Sequence, residues 1–410
     1  MQKALEKLYW KELNMNEQRN LKDSSVVNIV DSMISKAIKA RASDIHIEPT
    51  DQSLRIRFRV DGQLMEFFSF EMKLHPPIIS RLKIMSDLDI AEKRLPQDGR
   101  IKYEEDNREI DLRISTMPTI LGEKMVIRIL DKKLMAIDIH NLGFSKETFE
   151  KYVTLYRKPY GMVLITGPTG SGKSTTLYAT LAELNKVNKN IITIEDPVEY
   201  RIDGINQIQI NTKIGLSFSK TLRSILRQDP NIIMLGEIRD SETASIAVRA
   251  AQTGHLVFST LHTNNAIGAI TRLVDIGVEP FLVSSSVLGI VAQRLVRLIC
   301  TECKETYIPD NDSEDRKILG QYGNADTILY KGRGCSNCNY TGYYGQTAIH
   351  EVLPITKEIR ESINRSSSIE QFKKIALQEG MVSMQQDGIR KVLQGDTTIQ
   401  EIMRLSYEEG

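Results

Sequence analysis

A glycine-rich stretch near the middle of the chain has residue types and spacing suited to phosphate binding. Residues 167–174 read Gly-Pro-Thr-Gly-Ser-Gly-Lys-Ser, the pattern G-x-x-x-x-G-K-S, after an apolar run and before a helix-favouring segment. Glycines let the backbone turn its N–H groups toward phosphate oxygens, and the following helix adds its positive amino-terminal end. Lys173 would reach the β- and γ-phosphates, and the Ser174 hydroxyl would hold Mg²⁺. The sequence therefore predicts a nucleoside triphosphate site formed by Gly167, Pro168, Thr169, Gly170, Ser171, Gly172, Lys173, Ser174 and Thr175.

The four cysteines of the chain form two C-x-x-C pairs. Cys300 and Cys303 make the first pair, and Cys335 and Cys338 make the second. Each C-x-x-C presents two thiolates on one tight turn, so two pairs in a cytosolic chain are typical of a tetrahedral zinc site. Four thiolates leave no open coordination position, which favours a structural zinc over a catalytic one. A redox or disulfide pair, or four unconnected cysteines, are the alternatives.

Two further segments carry acids at the ends of apolar runs. Residues 191–194 are followed by Glu195, and residues 232–235 are followed by Gly236 and Glu237. Acids at the carboxyl ends of strands beside the phosphate-binding strand would lie over the metal and the attacking water of a nucleotide. We expect Glu237 to orient or deprotonate that water, or to act on Mg²⁺ through a bound water. Solvated loop ends are the alternative for both acids.

The surrounding pattern predicts how these residues are positioned. From about residue 155, apolar strands alternate with helical segments, which indicates a mostly parallel sheet. The predicted strands are 162–166, 191–194, 232–235 and 256–259, and the predicted helices are 172–185, 217–228, 240–253 and 264–276. His255 and His262 bracket the last of these apolar runs. Isolated histidines are more often packing residues than site residues, so the pattern alone leaves both open.

The first 135 residues follow different patterns. Apolar residues between Val27 and Ile38 recur with helical spacing after a serine that is available as a cap. Residues 54–60 alternate strictly, with Asp61-Gly62 as a hairpin turn, and residues 110–114 alternate likewise. Their polar faces carry Arg55, Arg57, Arg59 and Arg113. These patterns predict a small α+β domain that ends near residue 135.

Composition narrows the class of protein. The chain has 410 residues, and 54 Lys and Arg against 53 Asp and Glu leave a formal net charge of +1. A dedicated nucleic-acid binder carries a clear basic excess, so this balance argues against one. The N-terminus lacks the apolar region of a signal peptide, and no stretch reaches the ~18 apolar residues of a membrane span. We expect a cytoplasmic protein whose membrane work goes through partners.

Taken together, these motifs resemble those of the secretion ATPase superfamily. Its Walker A, Asp, Walker B and His boxes are similar to residues 167–174, 194–199, 226–230 with 236–240, and 253–263. Residues 42–49, Ala-Ser-Asp-Ile-His-Ile-Glu-Pro, resemble the start of its N-terminal domain. The cysteine quartet is similar to the type II secretion and type IV pilus-assembly branch, whereas retraction ATPases generally lack it. The resemblance covers roughly residue 24 to the C-terminus.

The resemblance implies an α/β fold class: a RecA-type P-loop ATPase domain preceded by a small α+β (PAS-like) domain, with a zinc-binding insertion and a C-terminal helical segment. The expected divisions are an N-terminal arm (1–22), the α+β N-terminal domain (23–135), a linker (136–150), the RecA-type ATPase core (151–298), the tetracysteine zinc-binding subdomain (299–345) and the C-terminal helical domain (346–410).

The resemblance also implies residue roles in a hexameric motor whose N-terminal domain closes over ATP. Arg100 and Arg113 would approach the γ-phosphate like arginine fingers. His262 would be an active-site or sensor residue, with a weaker expectation for His255, and Arg239 would serve at a subunit contact. The expected catalytic set is Glu237 on the water, Glu195 in support, and Lys173, Ser174 with Mg²⁺, Arg100 and Arg113 stabilising transition-state charge.

The expected function is that of a hexameric ATPase, peripheral at the inner face of the cell membrane, that uses ATP, Mg²⁺ and Zn²⁺. It would drive pilin or pseudopilin assembly through an inner-membrane platform protein and a cytoplasmic scaffold, without nucleic acid. Within the family, a competence-pilus (DNA-uptake) motor and a retraction motor are alternatives, and the cysteines disfavour retraction. From other classes, a nucleic-acid translocase and a non-catalytic nucleotide-gated scaffold remain. The charge balance argues against the first, and the presence of Lys173 and Glu237 argues against the second.

Overall fold

The computed structural model describes residues 25–131, 137–324, 326–365 and 367–407, which fall into two compact units. The first unit contains the described residues before position 132 together with residues 300–304 and 332–345. The second contains the described residues from 137 to 299, from 305 to 331 and from 346 onward. The predicted N-terminal arm, residues 1–22, lies outside the described residues.

The first unit is built on a six-stranded sheet in the order β3-β2-β1-β6-β5-β4, with antiparallel neighbours. Its elements are α1 (Val26–Lys39), β1 (Ala42–Pro49), β2 (Leu54–Val60), β3 (Gln63–Phe70), α2 (His75–Met85), β4 (Gln97–Glu105), β5 (Arg108–Thr119) and β6 (Gly122–Leu130). The predicted first helix and its serine cap are confirmed, since Ser25 accepts a hydrogen bond from the N–H of Asn28. The hairpin turn is confirmed too, because Asp61 and Gly62 both have positive φ.

One hydrophobic cluster joins α1 and α2 to one face of the sheet of the first unit. Ile34 of α1 and Leu82 of α2 are buried with Phe58, Ile114 and Ile127 of the strands. Successive side chains of a strand point to opposite faces, so the alternating polar residues lie on the other face. That face carries the arginines that the sequence analysis singles out.

The second unit is built on a seven-stranded sheet in the order β15-β12-β7-β11-β10-β8-β9, and β12, β7, β11, β10, β8 and β9 pair in parallel. Its strands are β7 (Gly161–Thr166), β8 (Ile191–Glu195), β9 (Asn206–Gln209), β10 (Ile232–Leu235), β11 (Leu256–Leu261), β12 (Val287–Ile299) and β15 (Tyr343–Pro354), and β13 (Lys304–Tyr307) pairs with β14 (Leu329–Gly332) in a separate ribbon. The predicted α/β class and parallel sheet are confirmed.

Helices cover this parallel sheet and continue to the end of the described chain. They are α3 (Lys146–Tyr156), α4 (Lys173–Leu184), α5 (Phe218–Ile225), α6 (Ser241–Gln252), α7 (Ala266–Asp275), α8 (Pro280–Ser286), α9 (Glu314–Leu319), α10 (Lys357–Asn364), α11 (Ile369–Gln378), α12 (Met384–Gln394) and α13 (Ile399–Tyr407). All four predicted strands and all four predicted helices of the ATPase core are present, with ends shifted by a few residues. Among the described helices, none combines the length and apolar character needed to cross a bilayer.

Some elements of the second unit escape the sequence analysis. Helix α3 begins at Lys146, inside the segment expected to be a linker, and β15 occupies the start of the region expected to be helical. The long strand β12 is buried along most of its length. A strand covered on both faces shows a continuous apolar run rather than alternation, which removes the usual strand signal.

The segment expected to form one tetracysteine subdomain, residues 299–345, divides between the two units. Asp61 accepts a hydrogen bond from the N–H of Gly345 at 2.9 Å, and the Arg41 guanidinium lies 3.7 Å from the ring centre of Tyr344. These contacts join the second cysteine pair to the first unit. The intervening residues 305–331 instead contribute buried leucines to the core of the second unit. Long-range packing of this kind leaves no local pattern in the sequence.

A buried ion pair in the first unit gives a stability prediction. Lys83 Nζ lies 2.6 Å from Glu123 Oε1, and the two side chains are 1% and 6% exposed. Lys83→Met leaves this carboxylate buried without its counter-charge, so we expect K83M to lower the free energy of unfolding by about 3–5 kcal/mol in a urea titration. Lys102→Met is the control, because the Lys102–Glu109 pair is exposed and contributes less than about 1 kcal/mol. Equal effects of the two substitutions would contradict this account.

Candidate functional site

The phosphate-binding loop (P-loop) lies between β7, an interior strand of the seven-stranded sheet, and the start of α4 at Lys173. Gly170 and Gly172 have φ values of +79° and +86°, in the left-handed region that favours glycine. A Cβ on Gly167 would lie 2.5 Å from the carbonyl oxygen of Gln293, so this position has no room for a side chain. The backbone therefore curls as the motif predicts, directly in front of a helix amino terminus.

Lys173 is the buried cation of the P-loop. Its Nζ donates to the carbonyl oxygens of Gly167 and Pro168, both at 2.8 Å. Burial lowers its pKa to about 8, so the amine stays mostly protonated at neutral pH. Ser174, in the first turn of α4, is exposed, and its hydroxyl has no hydrogen-bond partner among the described residues. A hydroxyl presented in this way fits the magnesium ligand that the motif predicts.

Gln293, on β12, braces the P-loop and is not found by the sequence analysis. It is 1% exposed, its Nε2 donates to the carbonyl oxygen of Ser171 at 2.6 Å, and its Oε1 accepts from the Thr176 hydroxyl at 2.9 Å. One side chain thus ties the loop to the first turn of α4. A polar residue within an apolar run was the available signal, but its partners are 122 and 117 residues away in the chain.

Glu237 follows β10 at the same edge of the sheet, with 17% of its side chain exposed. It forms an ion pair with Arg239, and His262 Nε2 lies 3.6 Å from Glu237 Oε2. Burial, and then the charge of Lys173, lower the pKa of His262, so its imidazole is neutral at neutral pH. The charge of Glu237 also raises the pKa of Lys173 against the effect of burial. The structure therefore brings Lys173, Glu237 and His262 into one region.

Hydrogen bonds between neighbouring loops fix this arrangement. The Thr166 and Thr263 hydroxyl oxygens are 2.7 Å apart, and the N–H of Thr263 donates to Thr166 Oγ1 at 2.9 Å. Thr260 Oγ1 donates to the carbonyl oxygen of Gly236 at 2.6 Å. The N–H of Gly236 donates to the carbonyl oxygen of Ile194 at 2.8 Å. The carboxyl ends of β7, β11, β10 and β8 are therefore linked side by side.

Glu195 ends β8, beside the strand that leads to Glu237, and its carboxylate is buried. It is 4% exposed and accepts hydrogen bonds from the Tyr178 hydroxyl, from Thr193 Oγ1 at 2.6 Å and from Gln207 Nε2 at 3.2 Å. Burial raises the pKa of Glu195, and the three hydrogen bonds act in the opposite direction. The structure thus places Glu195 at the expected edge of the sheet, with both carboxylate oxygens engaged by the protein.

His255 lies at the opposite end of β11 from His262. Its Nδ1 is 3.0 Å from the carbonyl oxygen of Ala250, close to the end of α6. The amino-terminal edge of this sheet is remote from the P-loop edge, so the structure does not bring His255 to the candidate site. The weaker expectation of a site role for His255 is therefore not supported, and a packing role accounts for its contacts.

Arg100 and Arg113 belong to the first unit, where they form a directly opposed cross-strand pair of β4 and β5. Arg113 is opposed in turn to Arg128 of β6. Like charges in directly opposed positions destabilise a sheet where nothing compensates them, and here Arg128 pairs with Asp44 at 3.2 Å. The Arg100 side chain is exposed and has no hydrogen-bond or ion-pair partner within the described ranges.

The arginines of β2 neutralise buried acids of β1. Arg55 and Arg57 lie 3.3 and 2.8 Å from Glu48 Oε2, and Arg59 Nε lies 3.7 Å from Asp44 Oδ2. Burial alone would raise the pKa of Glu48, but hydrogen bonds led by that of Arg57 lower it to about 2. These arginines therefore contribute to the fold of the first unit.

The four cysteines converge within the first unit, with all Sγ atoms within 4.8 Å of one another. The Cys300–Cys335 and Cys303–Cys338 sulfurs are 3.8 and 3.9 Å apart. Four thiolates bound to zinc at about 2.3 Å stand about 3.8 Å apart at the corners of a tetrahedron, whereas a disulfide joins two sulfurs at ~2.05 Å. The N–H of Gly334 donates to Cys303 Sγ at 3.2 Å, as outer donors do in metal-thiolate sites. This donor set fits zinc.

The chain is similar in sequence to known secretion and pilus-assembly proteins. Residues 19–404 match the family described as Type II/IV secretion system protein. The chain is 50% identical over 386 residues to the type II secretion system ATPase E of Vibrio cholerae, over 94% of this chain and 76% of that protein. It is 48% identical over 388 residues to the type IV pilus assembly ATPase PilB of Thermus thermophilus, over 95% of this chain and 44% of that protein.

Two solved structures are also similar to this chain. The pilus retraction motor PilT with bound ADP is similar with a TM-score of 0.60 and 26% identity, over 91% of this chain and 95% of that chain. The ATPase DotB of Legionella pneumophila has a TM-score of 0.67 at 20% identity, over 93% of this chain and 95% of that chain. The second likeness is one of fold.

Gln293→Leu tests the brace on the P-loop. The substitution introduces an apolar side chain of similar size and leaves the Ser171 carbonyl and the Thr176 hydroxyl without their buried partner. We expect the affinity for ATP to fall about tenfold, because an unpaired buried polar group costs roughly 1–3 kcal/mol. Gln252→Leu is the control, since Gln252 bonds to Ser285 at an exposed position. Calorimetric titrations in which Q293L and Q252L bind ATP alike would contradict the brace.

Metal analysis tests the tetracysteine site. We expect a single zinc ion per chain in freshly reduced protein, and a lower thermal unfolding temperature after chelation, because structural zinc contributes folding free energy. Cys303→Ser should lose the metal, whereas Ser336→Ala, at an exposed position between two of the cysteines, should keep it. Reduced protein without zinc, or full zinc content in C303S, would refute the assignment.

Proposed function

The chain belongs to the type II/IV secretion system protein family, and from that premise we propose that it is a hexameric motor that assembles pilin or pseudopilin subunits. It is an ATP-hydrolysing enzyme whose relatives are ATPases of type II secretion and type IV pilus assembly. We further propose that six chains form a ring at the inner face of the cell membrane. This ring would act on an inner-membrane platform protein, together with a cytoplasmic scaffold. Near-equal identity to the two kinds of relative supports both transport systems.

The shared edge of the parallel sheet is the observation that carries the enzymatic part of the proposal. Lys173, Glu237 and His262 lie there, with His262 Nε2 3.6 Å from Glu237 Oε2, and the strand ends around them are hydrogen-bonded side by side. In hydrolysis a water oxygen bonds to the γ-phosphorus, the bond from that phosphorus to the ADP oxygen breaks, and ADP and inorganic phosphate leave. Glu237 orients the water and takes its proton, with Glu195 in support. Lys173 stabilises the negative charge on the phosphate oxygens.

Further residues complete the proposed site. Ser174 would hold Mg²⁺, which neutralises charge on the β- and γ-phosphate oxygens when bound. Arg100 and Arg113, which lie side by side on neighbouring strands, would add positive charge at the γ-phosphate. His262, neutral and 3.6 Å from the Glu237 carboxylate, would orient that carboxylate. The four cysteines would hold a structural zinc that takes no part in hydrolysis.

Steady-state ATPase activity across a protein concentration series, with mass determination at each point, tests this proposal. We expect activity per chain to rise steeply as hexamers form. Lys173→Ala and Glu237→Gln should lower kcat by about a hundredfold or more, and Arg113→Ala by about tenfold or more, because each removes transition-state charge stabilisation or water activation. Lys102→Ala is the control for the arginines, since Lys102 is an exposed cation on the same strand as Arg100.

Two results would contradict the proposal in different ways. Activity that is flat with concentration and indifferent to Arg113→Ala would leave ATP hydrolysis in place but remove the ring mechanism. Full activity in Glu237→Gln would remove the assigned water-activating residue, whatever the oligomeric state.

A further inference from the structure

A run of buried hydrogen bonds connects the P-loop helix with Glu195. Tyr178, five residues after Lys173 on α4, donates its hydroxyl hydrogen to Glu195 Oε2. The Tyr178 oxygen also accepts the backbone N–H of Glu199 at 3.2 Å. Tyr178 is 2% exposed, and its ring packs edge-to-face on Tyr200 with the ring centres 4.6 Å apart. The phenol is therefore fixed on both sides of its oxygen.

The other carboxylate oxygen of Glu195 is held as well. Thr193 Oγ1 and Gln207 Nε2 donate to Glu195 Oε1 at 2.6 and 3.2 Å. Gln207 is itself fixed, because its Nε2 donates to the Tyr200 carbonyl oxygen at 3.0 Å and its Oε1 accepts the N–H of Ile202 at 2.7 Å. Across the described ranges Glu195 has no ion-pair partner. A buried carboxylate with three neutral donors and no cation depends on those donors for its position and its charge.

Packing alone does not explain the Tyr178 hydroxyl. The Tyr178 ring belongs to an apolar cluster with Leu177, Leu181 and Tyr200, where a phenylalanine ring would fill the same volume. A buried hydroxyl needs a partner. Here that partner is an acid at the catalytic edge of the sheet, and the hydroxyl is the direct link between the P-loop helix and that acid.

We propose that Tyr178 is a positioning residue, which holds the Glu195 carboxylate in place for ATP hydrolysis and couples it to the P-loop helix. The inference rests on the proposed role of Glu195 in supporting the attacking water. Since α4 begins at Lys173, a shift of the helix that carries the phosphate-binding lysine also moves the phenol and the carboxylate oxygen bound to it. Tyr178 acts through Glu195 and does not itself contact ATP.

The same contacts give the expected pH dependence. The polar and titratable groups that face Glu195 are Tyr178 from α4, Thr193 from β8, Gln207 from β9, and Glu199 and Tyr200 from the segment after β8. Burial raises the pKa of Glu195, and the Tyr178 hydrogen bond lowers it. Removing the hydroxyl therefore raises this pKa further, and the acid side of the activity profile moves to higher pH.

The test compares Tyr178→Phe with Tyr152→Phe in the full chain. Y152F is a matched control, because Tyr152 of α3 is fully buried and its hydroxyl oxygen is 2.5 Å from Thr180 Oγ1. Thr180, like Tyr178, lies on α4. For Y178F we expect kcat to fall about tenfold at neutral pH, KM for ATP to change less than about twofold, and the acid limb to move up by about one pH unit. Y152F should keep kcat, KM and the pH profile, with thermal unfolding recorded for both variants.

Glu195→Gln separates this inference from the proposed function. If Tyr178 acts through the carboxylate, the double variant Y178F/E195Q is no slower than E195Q. E195Q with the activity of the parent would overturn the role of Glu195, and the positioning with it. A strongly impaired E195Q combined with a Y178F that behaves like Y152F would overturn only the positioning by Tyr178. A double variant slower than E195Q would do the same, because Tyr178 would then act by another route.

Discussion

Parallel pairing of β7, β11, β10 and β8 places the chemistry of the second unit. Thr166 is paired with Leu261, and Leu235 with both Ser259 and Ile194, so the loops that follow these strands begin side by side. Because carboxyl ends of parallel strands lie at one edge, the P-loop, the Gly236-Glu237 step, the His262 loop and Glu195 all meet there. Threonine hydroxyls at the strand ends form hydrogen bonds to the neighbouring loops, and these bonds fix the loops relative to one another.

The same constraint explains which site residues can be predicted from the sequence. Motif residues that directly follow a strand take their position from that strand, so local patterns predict that the P-loop, Glu195 and Glu237 lie at one edge of the sheet. The local pattern leaves His262 open, and only the family resemblance implies its place in the site. His255 precedes its strand and lies at the other edge. Gln293 cannot be identified from the sequence, because its contact with the P-loop depends on the pairing of β12 with β7. These two strands are more than a hundred residues apart in the chain. The split of residues 299–345 between two units was missed for the same reason.

In the first unit, the arginines on the polar face of the sheet differ in whether acids lie beside them. This face carries many arginines, and those of β2 form ion pairs with the buried carboxylates of Asp44 and Glu48. Arg100 and Arg113 lie on the same face and are directly opposed across β4 and β5. Alternation in the sequence shows which residues share this face, but it cannot show which arginines have acids beside them, since the acids come from another strand.

The charged groups of the candidate site differ in how readily they can exchange partners. Lys173 is bound by two carbonyl dipoles, which are weaker partners for an ammonium than phosphate oxygens. The Glu237–Arg239 pair is partly solvated, since 65% of the Arg239 side chain is exposed, so it contributes little and is easily rearranged. Glu195 is buried among three neutral donors that are themselves fixed, and releasing any of them would leave an unpaired buried group. Lys173 and Glu237 are thus the groups suited to respond to a nucleotide, whereas Glu195 follows the framework that holds it.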